Sequence, residues 1–332
     1  MGEFDLIARY FTRPVREAVL GVGDDCALLA PKPGTQLAIS SDMLVEGRHF
    51  LSTVDPARLG HKALAVNLSD LAACGAKPLA FTLALALPSA DETWLEPFSR
   101  GMLALADAHG CELIGGDTTR GPLNICITVF GEVPKGSGPS SGITQALLRS
   151  GALAGDDLYV SGTLGDARLA LEVFRGTLSL PEALFQQARL RMEQPTPRVA
   201  LGQALRGIAS AAADVSDGLL GDLGHILRAS GVGASIDATA ASDLIAACAH
   251  PDCPEDLFSF EQKLSLALAG GDDYELVFSA PAAARDAVLA AAALAHTPVT
   301  RIGRIEAVAG VRVVDAQGQL LAQQFDSFDH FK

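Results

Sequence analysis

Residues 77–133 read KPLAFTLALALPSADETWLEPFSRGMLALADAHGCELIGGDTTRGPLNICITVFGEV, and this stretch decides the fold class. Large apolar side chains occupy every second position from Leu79 to Leu87. The same alternation returns between Leu123 and Val129. Alternation with a period of two is typical of a β-strand that buries one face. The stretch therefore predicts two strands with a longer segment between them.

That intervening segment has the marks of a helix. Ser89 and Glu92 have the spacing of a capping box at its start, and Gly110 is suited to its end. A second helix is predicted from Asp55-Pro56, an N-cap followed by proline in the first helical position, to about Gly75. Strands that alternate with helices predict an α/β (α+β) fold.

Two domains are expected in the 332 residues, since each half is long enough for a core of its own. The clearest linker is the glycine- and serine-rich run from Pro134 to Gly142, and a new strand is predicted from Asp157 to Ser161. We place the boundary near residue 150, with an N-terminal domain at 1–150 and a C-terminal α/β domain at 151–332. In the second half, a strand is predicted from Tyr274 to Phe278.

Composition excludes several partners. Lysine and arginine total 25 against 39 aspartates and glutamates, for a net charge of −14. Such a surface repels nucleic acids and anionic membranes, so neither is an expected partner. No apolar run approaches the roughly 20 residues of a membrane span. A zinc site at Cys248, His250 and Cys253 lacks a second ligand pair. We expect a cytoplasmic protein with reduced cysteines.

Aspartates recur beside glycine and serine at the ends of the predicted elements. The segments are Gly23-Asp24-Asp25, Ser40-Ser41-Asp42, Asp70 in its helix, Gly115-Gly116-Asp117-Thr118-Thr119, Asp214-Val215-Ser216-Asp217-Gly218 and Gly270-Gly271-Asp272-Asp273. Each one alone has a structural explanation as a turn or an N-cap. Together they predict carboxylates that converge on one cleft, where cations must offset their repulsion. Oxygen ligands suit Mg²⁺, and Mg²⁺ in turn suggests phosphates.

No established nucleotide motif competes with this interpretation. The sequence contains no Gly-Lys pair, which excludes a Walker-type phosphate loop, and it lacks the protein-kinase signatures. The glycine-rich segment from Ser161 to Asp166 is interpreted as a turn, with a phosphate contact as the alternative.

The ordered set of aspartate segments resembles the thiamine-monophosphate kinase family, and the resemblance runs from Glu3-Phe4 to Phe331. It implies transfer of the ATP γ-phosphoryl group to thiamine monophosphate by direct in-line attack, with several Mg²⁺ ions. It also implies the two-domain fold of aminoimidazole ribonucleotide synthetase, in which the N-terminal domain has a mixed sheet with helices, and a homodimer paired through the N-terminal sheets.

The resemblance also implies roles for individual residues. Metal ligands would be Asp25, Ser40, Ser41, Asp42, Asp70, Asp117, Asp214 and Asp217, with the serines acting through either the hydroxyl or the backbone carbonyl. The nucleotide would be bound by Gly116, Asp117, Arg149 and Ser216. The substrate would be bound by His49, Asp272 and Phe325, with Asp42, Asp117 and His49 closest to the chemistry. For His49, an exposed loop histidine is the alternative.

Three features depart from the family pattern. Asp272 stands where glutamate is usual, Phe325 stands where tryptophan is frequent, and residues 137–144 look like an insertion before Arg149. Selenophosphate synthetase and purine-pathway synthetases are alternatives on the same fold, although residues 2–16 contain neither Cys nor Lys, which selenophosphate synthetase would need. A non-catalytic metal- or nucleotide-binding protein is the alternative from another class.

Overall fold

The computed structural model describes residues 2–136, 144–254 and 256–321. Most of the inserted segment and Phe325 lie outside the described residues. The chain divides into two compact units. The first consists of Met1–Leu71 and Ala76–Ala146, and the second of Ala72–Gly75 and Leu147–Lys332.

The first unit is built on a four-stranded sheet. Its strands are β1 (Thr35–Val45), β2 (Lys77–Leu87), β3 (Glu112–Arg120) and β4 (Asn124–Pro134). Its helices are α1 (Glu3–Leu6), the π-helical turn Ile7–Phe11, α2 (Pro56–Ala73) and α3 (Glu92–His109). The spatial order is β1-β4-β2-β3, in which β4 is antiparallel to both neighbours and β2 is parallel to β3. The parallel pair requires a crossover, and α3 provides it.

One face of this sheet is buried and the other is open. Phe81, Leu83 and Leu85 of β2 are buried, as are Leu95 and Phe98 of α3. The alternate positions from Thr82 to Ala86 are partly or fully exposed, whereas Ala80, nearer the start of β2, is buried. This is the pattern expected where neighbouring strand residues point to opposite faces.

The strands and helices predicted from residues 77–133 are confirmed, with one correction at a helix start. The N-cap of α3 is Asp91, whose carboxylate accepts from the backbone N–H of Thr93 at 2.9 Å and from its hydroxyl at 2.7 Å. The predicted capping box at Ser89 is therefore wrong, because Asp91 lies next to the first turn and supplies the stronger acceptor. Gly110 ends the helix in the left-handed conformation, as predicted.

Two aspartate segments lie inside strands rather than at turns. Ser40-Ser41-Asp42 is central in β1, and Gly115 to Thr119 belongs to β3. Sequence alone missed β3 because its glycines and threonines carry no apolar alternation. These residues are held extended because β3 pairs with β2. The pairing starts where Glu112 lies opposite Ala80.

The second unit has a six-stranded mixed sheet. Its strands are β5 (Asp157–Ser161), β6 (Ala211–Val215), β7 (Gly233–Asp237), β8 (Glu275–Ala280), β9 (Val299–Glu306) and β10 (Gly310–Val314), in the order β10-β7-β9-β5-β8-β6. All neighbours are antiparallel except β7 and β10. Its α-helices are α4 (Asp166–Phe174), α5 (Glu182–Glu193), α6 (Val199–Ala204), α7 (Leu219–Ser230), α8 (Ala238–Ser242), α9 (Phe260–Ala269) and α10 (Arg285–Leu294). The described residues of this unit also contain the 3₁₀ turns Ala246–Ala249 and Ala282–Ala284.

The core of the second unit joins the sheet to its helices. Val160 and Val277 of the sheet pack in one apolar cluster with Leu223 and Ile226 of α7 and with Leu264 of α9. Of the helices in the described residues, none is long and apolar enough to cross a membrane.

Candidate active site

Strand β1 and helix α2 bring three of the predicted metal ligands together. The Ser40 hydroxyl donates to the carboxylate of Asp70 on α2. The backbone N–H of Asp42 donates to the side-chain oxygen of Asn67 at 3.0 Å. Ser40 and Asp42 share one face of the strand, and Asn67 and Asp70 share one face of the helix. Asp42 and Asp70 therefore lie on the same side of β1.

Asn67 is a site residue that the sequence analysis missed. It is 1% exposed, and its amide nitrogen donates to the carbonyl of Ala63 at 3.0 Å. A buried amide needs partners, and this one joins the helix backbone to the backbone of Asp42. The available signal was an asparagine inside the apolar run ALAVNLSDLAA.

His49 lies in the loop after β1 with a defined tautomer. Its Nδ1 accepts from the backbone N–H of Val45 at 3.0 Å, so the proton of the neutral ring is on Nε2. Lys62, which is only 2% exposed, donates from Nζ to the His49 carbonyl at 3.3 Å. The loop is thereby joined to α2, and Lys62 is a second residue that sequence reasoning missed.

Ser41 is directed differently from Ser40. Its hydroxyl donates to the carbonyl of Ile127 at 3.2 Å and lies 3.0 Å from the Thr128 hydroxyl. Neighbouring strand residues point to opposite faces, so the Ser41 side chain does not join Ser40 and Asp42.

Asp117 and Gly116 lie on the opposite edge of the sheet from Asp42. The register places Asp42, Ile127, Leu83 and Gly116 in one row across the four strands, with Asp117 one position further along β3. Three strand spacings separate the two edges, or ~14 Å. Gly116 has φ +145°, and a Cβ there would collide with the carbonyl oxygen of Leu83. The first unit by itself therefore does not bring Asp117 to Asp42 and Asp70.

Asp25 lies in an exposed turn. Its backbone N–H donates to the Asp24 carboxylate at 2.9 Å, and backbone hydrogen bonds between Leu20 and Leu28 close the surrounding loop. Among the hydrogen bonds described for residues 2–136, none joins Asp25 to Ser40, Asp42 or Asp70.

In the second unit, two aspartate segments pack backbone against backbone. The N–H of Asp272 donates to the carbonyl of Ser216 at 2.7 Å, and the N–H of Tyr274 donates to that of Val215 at 2.9 Å. Asp272 has a left-handed φ of 73°. A Cβ on Gly271 would lie 2.5 Å from the Ser216 carbonyl oxygen. The contact thus requires glycine at 271, and it joins residues predicted to bind substrate and nucleotide.

Asp222 supports the same segment from the other side. One of its carboxylate oxygens accepts from the backbone N–H of Ser216 at 3.0 Å and of Asp217 at 3.1 Å. Burial, and after it the negative charge of Asp217, raises the pKa of Asp222 to about 7, whereas the hydrogen bonds from the backbone of Asp217 and Ser216 and the charge of Arg149 oppose the shift. Arg149 also lowers the pKa of His225, after burial. Arg149, Asp217, Asp222 and His225 therefore form one electrostatic neighbourhood.

The glycine-rich turn before α4 is closed by other buried carboxylates. Asp273 accepts from the N–H groups of Gly165 at 2.8 Å and of Ala167 at 3.4 Å. Asp166 accepts from Ala246 and Ala247. Burial raises the pKa of both aspartates. The bonds to Asp273 occupy amide groups of this turn that a phosphate would need, which supports the turn interpretation.

Glu275, at the start of β8 and shortly after the Gly270–Asp273 loop, is a buried anchor. It is 0% exposed and binds Arg198 through two hydrogen bonds of 2.6 and 2.5 Å, Arg191 at 2.7 Å and the Ser161 hydroxyl at 2.6 Å. An ion pair of this kind fixes the start of β8, and with it the loop that contains Asp272.

The donor set has the chemistry of a magnesium site but not a complete cage. Among the residues described, no three histidine, cysteine, aspartate or glutamate side chains gather tightly enough to hold a metal ion. Mg²⁺ commonly takes only one or two carboxylates and completes its shell with waters and substrate phosphates. The oxygen-only group of Ser40, Asp42 and Asp70 fits that requirement.

Comparison with known proteins identifies the family. Residues 23–133 match "AIR synthase related protein, N-terminal domain", and residues 154–316 match its C-terminal domain. Thiamine-monophosphate kinase of Salmonella typhimurium is 47% identical in an alignment of 336 positions, which covers 99% of this chain and 98% of that protein. The chain belongs to the thiamine-monophosphate kinase family. The resemblance seen in the aspartate segments is thereby confirmed.

Solved structures of the thiamine-monophosphate kinase family agree with the fold. A crystal structure of the enzyme from Stenotrophomonas maltophilia has a TM-score of 0.81 and 46% identity, with 96% of each chain covered. A structure described as AaThiL complexed with AMPPCP and TMP has a TM-score of 0.71 and 28% identity, covering 91% of this chain and 89% of that one. The predicted two-domain fold of the aminoimidazole ribonucleotide synthetase type is confirmed.

Proposed function

We propose that this chain transfers the γ-phosphoryl group of ATP to thiamine monophosphate and so forms thiamine diphosphate and ADP. The observation that carries the proposal is the end-to-end match, at 47% identity, to a thiamine-monophosphate kinase. AaThiL, a relative of the same fold, has a solved structure in complex with AMPPCP and TMP. Phosphoryl transfer depends on positioning and charge neutralisation, which the grouped carboxylates and the oriented histidine of this chain can supply.

In the first unit, Asp42 and Asp70 would hold Mg²⁺, with Ser40 beside them. When bound, the metal would neutralise charge that develops on the phosphate oxygens. The Ser40 hydroxyl and the Asn67 amide hold the Asp70 carboxylate and the Asp42 backbone in place. Asp25, Ser41 and Asp117 remain proposed ligands, with Ser41 acting through its backbone because its hydroxyl is bonded to β4.

His49 would bind the phosphate of the acceptor. The N–H of Val45 holds Nδ1 as an acceptor, which leaves Nε2 as a hydrogen-bond donor. A neutral imidazole with this tautomer can donate a hydrogen bond from Nε2 to a phosphate oxygen. Because Nε2 carries the proton, it would not act as a nucleophile toward the γ-phosphoryl group. Direct in-line attack needs no covalent enzyme intermediate and no base stronger than the acceptor phosphate itself.

In the second unit, Ser216 and Arg149 would bind the nucleotide, and Asp214 and Asp217 would be metal ligands. Arg149 is exposed beside the negative charges of Asp217 and Asp222, where its guanidinium can reach a phosphate. Asp272 and Phe325 are proposed to contact the thiamine moiety.

The decisive experiment measures ADP release with purified protein, Mg²⁺-ATP and thiamine monophosphate. We expect ADP and thiamine diphosphate in equal amounts, and no turnover when Mg²⁺ is chelated. Unphosphorylated thiamine should not replace the monophosphate, because groups arranged for a phosphate would be left without a partner. ADP release that is independent of thiamine monophosphate would favour another synthetase of this fold, and binding without turnover would favour a non-catalytic protein.

We further propose that the chain is a cytoplasmic homodimer paired through its N-terminal sheet. Leu37, Ile39 and Met43, on the open face of β1, are 41%, 60% and 53% exposed. A patch of apolar side chains on a sheet face is typical of a surface that pairs with another protein. All six cysteines are free thiols, in keeping with a reducing compartment.

The dimer can be tested by light scattering after size exclusion. Ile39→Asp should convert a dimer of the 34.4 kDa chain to monomers, whereas Leu294→Asp, at a 77% exposed position of α10, should not. A wild-type protein that is monomeric at every concentration would exclude the proposal.

A further inference from the structure

We propose that Asp222 is a positioning residue, which holds the Ser216-Asp217 turn in the shape that nucleotide and metal binding require. The inference rests on the proposed function, which assigns the nucleotide to Ser216 and a metal to Asp217. Asp222 itself is not assigned to either ligand. It acts through the backbone of the residues that are.

The peptide units of the turn are held from two directions. A single oxygen of Asp222, Oδ2, accepts from the N–H of Ser216 at 3.0 Å and from that of Asp217 at 3.1 Å. On the other side, the Ser216 carbonyl accepts from the N–H of Asp272 at 2.7 Å. Asp222 is the only side chain that these described hydrogen bonds supply to the turn.

A plain helix-capping role does not account for this arrangement. Asp222 is in the first turn of α7, where an acidic residue favours the positive end of the helix dipole. Both of its amide partners, however, precede the helix, and the N-cap itself is Gly218, which has no side chain. The carboxylate therefore reaches back to the turn rather than to the N–H groups of α7.

Burial makes the support rigid. Asp222 is 4% exposed, and Leu219 and Leu223 beside it are fully buried. A side chain packed in this way cannot swing to a second position, and water has little access to replace it. Residues that orient ligands from behind typically change metal affinity or activity by about 10–100-fold when they are removed.

The hydrogen-bond geometry defines a discriminating set of variants. Because one oxygen accepts both bonds, the carbonyl oxygen of Asp222→Asn can take both while the charge is lost. Asp222→Ala removes the acceptor, and Asp222→Glu keeps the charge but moves the oxygen by one methylene. Asp237→Ala is the matched control: Asp237 accepts from two successive amides, of Thr239 and Ala240, at the start of α8.

Two measurements are made on each full-length variant. Hydrogen–deuterium exchange is followed in peptides that cover residues 211–219. Steady-state kinetics with ATP and thiamine monophosphate give kcat, both KM values and the Mg²⁺ concentration for half-maximal rate.

We expect faster exchange at 211–219 for Asp222→Ala and Asp222→Glu, with kcat lower or the Mg²⁺ requirement higher by about 10–100-fold. Asp222→Asn should keep wild-type exchange and near wild-type kinetics, and Asp237→Ala should change neither at this site.

Three results would overturn the inference. The first is unchanged exchange at 211–219 in Asp222→Ala. The second is faster exchange with kinetics like those of Asp237→Ala. The third is a folded Asp222→Asn protein that keeps its exchange protection but loses activity, since the charge and not the acceptor would then matter. If Asp222→Ala does not fold, Asp222→Asn and Asp222→Glu decide the question. A wild-type protein without thiamine-monophosphate-dependent turnover would instead defeat the proposed function, and the exchange data would still test the turn.

Discussion

Replacing Glu275 with glutamine removes the negative charge from the buried anchor of the loop that contains Asp272. Glu275 is fully buried, and its two arginine partners, Arg191 and Arg198, have side chains only 17% and 16% exposed. Glutamine has nearly the same shape but offers one acceptor oxygen in place of two. The variant would leave two poorly solvated guanidinium groups beside a neutral amide.

The size of the effect follows from this burial. Removing one partner of a buried ion pair costs about 3–5 kcal/mol, because the remaining charge has neither its partner nor water. For a domain of 150–250 residues, each kcal/mol lowers the melting temperature by about 2–4 °C. We therefore expect Glu275→Gln to lower the melting temperature of the transition that includes the second unit by roughly 6–20 °C.

The assay is differential scanning calorimetry of the full chain, with Glu306→Gln as the matched control. Glu306 also contacts two arginines, Arg304 at 3.6 Å and Arg312 at 3.3 Å, but its side chain is 24% exposed and those of its partners are 70% and 31% exposed. An exposed pair of this kind contributes about 0–1 kcal/mol. If Glu275→Gln costs no more than Glu306→Gln, the reasoning from burial is wrong.

Asp42→Asn should abolish turnover in a steady-state ADP assay while circular dichroism stays unchanged; near-normal turnover in ordinary Mg²⁺ would remove Asp42 from the ligand set. Hydrogen bonding to Arg285 lowers the pKa of Asp157 below its ordinary 3.8, so its stabilisation is complete above that pH and is lost as the pH falls through the lower folded value. The melting-temperature gap between wild type and Asp157→Asn should therefore shrink below pH 3.8; a gap that is constant from pH 6 to pH 3 would contradict this. Phe325→Ala should raise the KM for thiamine monophosphate by the equivalent of ~1–2 kcal/mol, the scale of one aromatic contact, and leave the KM for ATP unchanged; a lower melting temperature with an unchanged acceptor KM would show an anchor for the C-terminal tail instead.

Strands with apolar alternation were predictable, and polar strands were not. From Leu79 to Leu87 each second side chain is buried, so the sequence records the strand directly. In β3, the glycines and threonines show no apolar alternation that would predict a strand, and the extended shape comes from pairing with β2. Local sequence cannot contain a pairing that is made with a strand 30 residues away.

The sequence supplied a set of candidate site residues, whose roles remain predictions, but it did not supply their arrangement. Asp42 and Asp70 were expected together, and β1 and α2 place them on one side of the strand. The supporting residues Asn67, Lys62 and Asp222 were missed, because each acts through a backbone group of a distant or buried neighbour. Convergence of all the aspartates was also expected, yet β3 holds Asp117 at the far edge of its sheet.

Buried aspartates serve this protein as substitute backbone partners. Asp273 accepts from the amides of Gly165 and Ala167 at the start of α4, and Asp166 accepts from those of Ala246 and Ala247. Each of these loops therefore depends for its shape on an aspartate that another segment of the chain supplies. If the Gly270–Asp273 loop is grafted onto a relative, the turn at 163–167 must be grafted with it. Without that turn, the Asp273 carboxylate would be buried without its amide donors.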